Sequence, residues 1–181
     1  NPWRLPVQRI DALKEQSGSG LNGEQFVRLQ GIVTGVDRES VKPLYYLQDG
    51  TGAIELGTAS NIKSLNPSDW IEVLVKTGGT IGGAAGIIER VLRRSPGSYP
   101  GPRSISLSSS AFNQFDDEFS ELVGLVTDIS PVGAEGLKLR VQNSRGSLDV
   151  LCLGMRPGEG EDWLESMIMV CGVCRKREDP V

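Results

Sequence analysis

The most reactive side chains in this sequence are three cysteines, two of them spaced as CxxC. Cys171-Gly172-Val173-Cys174 would suit a redox or metal pair if it opened a helix. It instead ends Met167 to Val173, a run that reads as a strand, where residues three apart face opposite sides. With Cys152 there are three thiols and no histidine in 181 residues, a poor donor set for a tetrahedral zinc site. Buried apolar thiols are expected, with no metal site and no cofactor. The odd count leaves at least one thiol unpaired within the chain.

The lack of histidine also removes the commonest general base and the serine and cysteine hydrolase dyads. Ser60-Asn61-Ile62-Lys63, Ser68-Asp69-Trp70 and Lys76-Thr77-Gly78 resemble the three signatures of penicillin-recognising serine enzymes. All three, however, lie within 19 residues, along one turn and one strand. Gly78 to Gly86 (GGTIGGAAG) lacks the Lys-Ser/Thr of a phosphate loop and reads as a hairpin connection. Asp116-Asp117-Glu118 and Glu159 to Asp162 read as solvated charge runs. Arg90, Arg93 and Arg94 form the one notable basic cluster, expected to solvate the end of a strand. No catalytic residue is assigned, and the chain is not expected to be an enzyme.

The elements that position these residues follow from composition and an internal repeat. Aromatics are 6% of the chain and there are 23 glycines, which points to tight turns rather than helical bundles. FVRLQGIVT (26–34) and FSELVGLVT (119–127) share Phe, Leu, Gly, Val and Thr at an offset of 93. LQDGTGAIEL (47–56) aligns with VQNSRGSLDV (141–150) at 94. Strand-length alternating runs fall at Val27 to Val36, Leu44 to Gln48, Ala53 to Thr58, Trp70 to Thr77 and Gly86 to Leu92. Asp49 to Gly52 makes a hairpin, and Asn61 to Leu65 a helical turn. This order suits an OB-fold, with Gly31 and Gly35 bending the long first strand.

The expected fold is therefore all-β: two tandem OB-like five-stranded barrels. A Pro- and Gly-rich linker, Ser95 to Ser110, places residues 1–98 in the first, with an N-terminal extension, and 99–181 in the second. Split there, the net charge of −4 divides into +1 and −5. In the second half, strands are expected at Glu121 to Ile129, Leu137 to Gln142, Leu148 to Leu153 and Met167 to Val173. A counterpart of Ile88 falls beyond Val181, so the second barrel is expected to lack its fifth strand and to expose unpaired edges.

OB-folds bind ligands across strands two and three and their flanking loops. By the repeat, Tyr45, Leu47, Ile54 and Leu56 point inward, while Tyr46, Gln48 and Glu55 point outward. Tyr46, Gln48 and Glu55, with Arg38 and Lys42 from the loop before strand two, are the candidate ligand residues. Tyr46 is the one exposed stacking candidate. Glu55, like Asp149 in the other half, puts a carboxylate where phosphates would pass, so nucleic acid is not expected as a partner.

The series GIVTGV, YYLQDGTGAIEL and SDWIEVLVKTGG, followed by the Pro-rich linker, resembles tandem OB-like regions of large bacterial membrane sensors, ahead of histidine-kinase modules. MIMVCGVCRK is similar to the start of a longer segment there. The resemblance implies a non-catalytic sensory or spacer module in the periplasm, partnered by neighbouring domains or another protein. The alternative is a single-stranded nucleic-acid-binding tandem OB protein in the cytoplasm. No run approaches the ~18 apolar residues of a membrane span.

Overall fold

The structure, a computed structural model, describes residues 1–18, 24–38, 42–78, 85–107, 116–133, 136–156 and 158–175. Residues 79–84 of the glycine-rich connection and 108–110 of the linker lie outside these. No described helix is long and apolar enough to cross a membrane.

Contacts divide the chain into two compact units. One comprises Asn1–Pro102 with Asp116–Phe119 and Gly172–Val181; the other comprises Arg103–Phe115 and Ser120–Cys171. In the first, β1 (Gln25–Asp37), β2 (Leu44–Gln48), β3 (Ala53–Thr58), β4 (Asp69–Thr77) and β5 (Gly86–Pro96) close into a barrel in the order β1-β2-β3-β5-β4. Only β3 and β5 run parallel. This is an OB-like barrel. Its core holds the inward residues expected from alternation: Leu29, Val33, Tyr45, Leu47, Ile54, Leu56, Ile71, Val73, Val75 and Ile88.

Two features were not expected from the sequence. The segment Asn61 to Leu65 is not helical; the chain makes only a turn there, closed by Ile62 N–H to Ala59 O. The α-helix described in this unit is α1 (Ile10–Gly18), which buries Ile10 and Leu13 in the barrel core. Its first amides, which have no intrahelical partner, donate to the β2–β3 hairpin: Ile10 N to Asp49 Oδ2 at 3.0 Å and Asp11 N to Thr51 Oγ1 at 3.2 Å. Asp49 Oδ1 meanwhile accepts from the amides of Thr51 and Gly52. One aspartate thus folds the hairpin and caps the helix.

The second sheet contains β6 (Arg103–Ser104), β7 (Phe119–Pro131), β8 (Gly136–Asn143), β9 (Gly146–Leu153) and β10 (Met167–Val173). Its order is β10-β7-β8-β9, with β6 parallel to the start of β7. Among the described residues it is open, with β9 and β10 at the edges. The linker is more than a connection: it supplies β6 and buries Ile105 and Leu107.

The repeat is legible at the backbone. A Cβ at Gly31 would stand 2.4 Å from Gln48 O, and at Gly124 2.7 Å from Gln142 O, so both close approaches need glycine. The ladder shifts register around Thr34 in one unit and Thr127 in the other. Each hydroxyl donates to a facing carbonyl at 3.3 Å, that of Tyr46 or Arg140. Ser68 and Glu165 both adopt positive φ (71° and 61°), with amides bonded to Val33 O and Val126 O. The two phenylalanines that open the repeat differ in cover: Phe26 is exposed, whereas Phe119 is buried and stacks on Tyr99 with centroids 4.9 Å apart.

Candidate functional site

The outer face of β2 and β3, where sequence reasoning put the ligand, is occupied by the chain itself. Tyr46 and Glu55 face each other across the two strands and point outward from the barrel, yet they are only 7% and 5% exposed. The Tyr46 hydroxyl donates to Glu55 Oε2 at 3.1 Å. Arg175 pairs with the same Glu55 oxygen at 2.9 Å and reaches the Tyr46 hydroxyl at 3.4 Å. Val173 packs where a Cβ at Gly35 would lie, 2.8 Å from it. Gln48 Oε1 accepts from the Phe119 amide at 2.8 Å.

Tyr46 is therefore not an exposed stacking platform. Its hydroxyl is pushed above the usual tyrosine range by burial and by the neighbouring Glu55 charge. Nor does Glu55 present a carboxylate to passing phosphates, because it is buried and Arg175 pairs with it. Asp117, in the same covering segment, is buried at φ 67°. Desolvation first, and then the Asp116 charge, push its carboxyl up to about 6. Arg38 and Lys42 are exposed on either side of residues 39–41, which lie outside the described set. The structure does not bring them to Tyr46 and Glu55 through any described contact.

The cysteines also depart from expectation. None is fully buried: Cys171 is exposed, and Cys152 and Cys174 are half-buried. Burial raises both half-buried thiols above their usual range, which disfavours the reactive thiolate. Among the described residues no group of three His, Cys, Asp or Glu could hold a metal ion.

A second surface of the first unit has the geometry of a binding site. A cleft of about 590 Å³ lies over β4 and β5 and the turn before β4, lined among others by Phe26, Ile62, Lys63, Leu74, Arg90 and Arg94. Phe26 and Leu74 are placed by the outward register of β1 and β4, and Arg90 pairs across from Leu74. Phe26 is 52% exposed. Arg94 is held by Asp69 at 2.7 Å and by Ser64 O at 3.0 Å. Lys63 and Arg90 are exposed and have no ion pair among the described residues. Glu89 is the one acid among the lining residues.

Beside the cleft, Trp3 lies under the guanidinium groups of Arg28 and Arg93, 5.5 and 5.4 Å from its ring centroid. Glu72, 2% exposed, pairs with both arginines and fixes them there. Sequence reasoning found the Arg90–Arg94 cluster but treated it as solvation. It used Phe26 only as a mark of the repeat and assigned it no role at a site. The available signal was β5 itself, with three arginines in GIIERVLRRSP against one glutamate.

No family model matches the chain, and no curated protein matches it. Among solved structures, the chain is similar to the p204 HINb domain, with 16% identity, coverage of 87% of this chain and 90% of that one, and a TM-score of 0.35. It is also similar to fission yeast Pot1 solved with single-stranded DNA, with 13% identity, coverage of 97% and 85%, and a TM-score of 0.37. The sensor-region resemblance gains no support from these comparisons. The exclusion of nucleic acid as a partner is corrected: it rested first on an outward Glu55 carboxylate, and that carboxylate is buried and paired with Arg175.

Proposed function

We propose that the first unit binds single-stranded nucleic acid, without catalysis, in the cleft over β4 and β5. The observation that carries this reading is an exposed aromatic ring, Phe26, lining one cleft with two cations, Lys63 and Arg90, that form no ion pair among the described residues. Single strands are held by a basic track for the backbone and by ring faces on which bases stack. Phe26 offers the ring, while Lys63 and Arg90 offer phosphate contacts in a lining that also includes the apolar Leu74 and Ile62. The overall charge of −4 gives no long-range attraction, so the reading relies on local contacts and predicts modest affinity.

Fluorescence anisotropy with a labelled twelve-nucleotide oligothymidine tests it. Binding should be measurable at 20 mM salt and, with two to three phosphates contacted, should weaken by about 30- to 100-fold at 200 mM. The pair K63E/R90E should remove most of the affinity and flatten the salt dependence, and Phe26→Ala should cost about 1–3 kcal/mol of binding. No binding at 20 mM, or binding that K63E/R90E leaves unchanged, overturns the assignment.

A further inference from the structure

An extra residue in β5 brings two of its arginines to one side. Arg90 and Arg93 are three apart, which on a regular strand would point them to opposite faces. The ladder shifts between the pairs Glu72–Arg93 and Val73–Val91, so Leu92 is an added residue between them, and such a bulge re-aims the side chains beyond it. Arg90 thereby stands opposite Leu74 and Arg93 opposite Glu72, two residues that share the outward face of β4. On the other side of β4, Leu74 faces Arg28, which is two residues from Phe26 on the outward face of β1. The surface that forms the cleft therefore continues: the row Arg28–Leu74–Arg90 is followed, about 7 Å along the strands, by Glu72 and Arg93.

Trp3 belongs to this continuation, since its ring meets both Arg28 and Arg93, and its neighbour Pro2 lines the cleft. The ring is placed by the chain that leads into β1. Gln8 N donates to Arg28 O at 2.8 Å, Arg28 Nη1 donates to Leu5 O at 3.1 Å and to Trp3 O at 3.4 Å, and Asn1 Oδ1 accepts from the Trp3 amide at 3.1 Å. Held in this way, Trp3 is still 48% exposed. The two arginines divide the work. The Arg28 side chain is 15% exposed and is spent on Glu72 and the two carbonyls. That of Arg93 is 63% exposed, and among the described residues its one ion pair runs through Nε to Glu72 at 3.7 Å. Its terminal nitrogens are left for an anion.

We propose that Trp3 and Arg93 form a second nucleotide subsite beside the cleft, in which a base stacks on the Trp3 ring and the adjoining phosphate binds Arg93. This rests on the reading that the cleft takes a single strand, and it sets the course of that strand: from Phe26 along the outward rows of β1, β4 and β5 toward the segment that precedes β1. Two rings with cations between them are the pattern that holds a single strand without reading its sequence. A ring already fixed by backbone bonds loses little freedom when a base stacks on it.

The test uses the full chain and a twelve-nucleotide oligothymidine in which 5-iodouracil, a photo-crosslinker of stacked aromatic rings, replaces thymine. After irradiation, mass spectrometry of the digested chain should find adducts on both Phe26 and Trp3. In anisotropy titrations Trp3→Leu should weaken binding by about 5- to 150-fold, the worth of one stacked base. Arg93→Gln should lower the slope of log affinity against log salt by about 0.7, the share of one phosphate contact on a single strand. If Trp3→Leu fails to fold, the wild-type adducts decide alone. The subsite is overturned if Trp3 carries no adduct, if Trp3→Leu binds as the wild type does, or if Arg93→Gln leaves the slope unchanged; where Phe26 still crosslinks, the cleft reading survives. No binding of the wild-type chain at 20 mM salt overturns both.

Discussion

Tyr46–Glu55 and Arg140–Asp149 are the same pair of positions in two copies of one frame, each directly opposed across the second and third strands. In the first unit the pair is a buried hydroxyl–carboxylate bond beneath Arg175. In the second it is an exposed ion pair, Arg140 Nε to Asp149 Oδ1 at 2.9 Å. The Arg140 guanidinium holds the Asp149 carboxyl below the usual range; the buried tyrosine moves up. Backbone position fixes which residues meet, and cover decides their chemistry. The outer face of an OB-like sheet is a ligand surface only where no chain already lies on it.

The comparison can be broken first in the core. Leu56→Ala should destabilise the closed barrel by about 3–5 kcal/mol, because the surroundings cannot collapse onto the cavity. Val150→Ala, at the matching but half-buried place, should cost no more than about 1 kcal/mol. Urea unfolding followed by probes in each unit measures both, and equal costs would mean that the second unit is as closed as the first.

The close approaches come next. Gly31→Ala forces a methyl against the Gln48 carbonyl and should cost about 2–3 kcal/mol. Gly124→Ala should cost less, because an open sheet can yield. Thermal unfolding of the two variants orders them, and the reverse order would contradict the contrast between a closed and an open frame.

The smallest effect concerns the cover. A carboxyl raised to about 6 in the folded chain keeps its proton there, while the unfolded chain loses it near pH 4. Between pH 4 and 6 the native state binds more protons, so Asp117 makes stability fall as pH rises through that window. Asp117→Asn tolerates the left-handed backbone. It should remove this slope and leave the first unit more stable at pH 7 by about 1–2 kcal/mol. Titration of denaturation midpoints from pH 4 to 7 checks the sign.

Much of the frame was legible in advance because it is written locally. Strand alternation, the Asp49–Gly52 turn and the glycine and threonine of the repeat each act over a few residues, and each appears where local chemistry puts it. What was not legible depends on residues distant in sequence. Tyr46 and Glu55 read as outward, and they are; nothing in β2 or β3 tells that Asp116–Phe119 and Arg175 lie over them. Phe26 and Phe119 are equivalent in the repeat and opposite in exposure for the same reason. The helix escaped notice because only Ile10 and Leu13 of its apolar residues are fully buried, too short a stripe to stand out. Lys63 reaches the cleft from an irregular turn, where no periodicity predicts direction.

The docking of α1 through Asp49 and Thr51 has a consequence for the order of assembly. During synthesis the plug leaves the ribosome before any of the wall it must seal, and the two acceptors for its leading amides follow some forty residues later. Until then nine residues have neither length nor neighbours enough to stay helical. The first unit therefore completes itself by returning to its own beginning, and a version trimmed to start at β1 would be a pipe without its stopper.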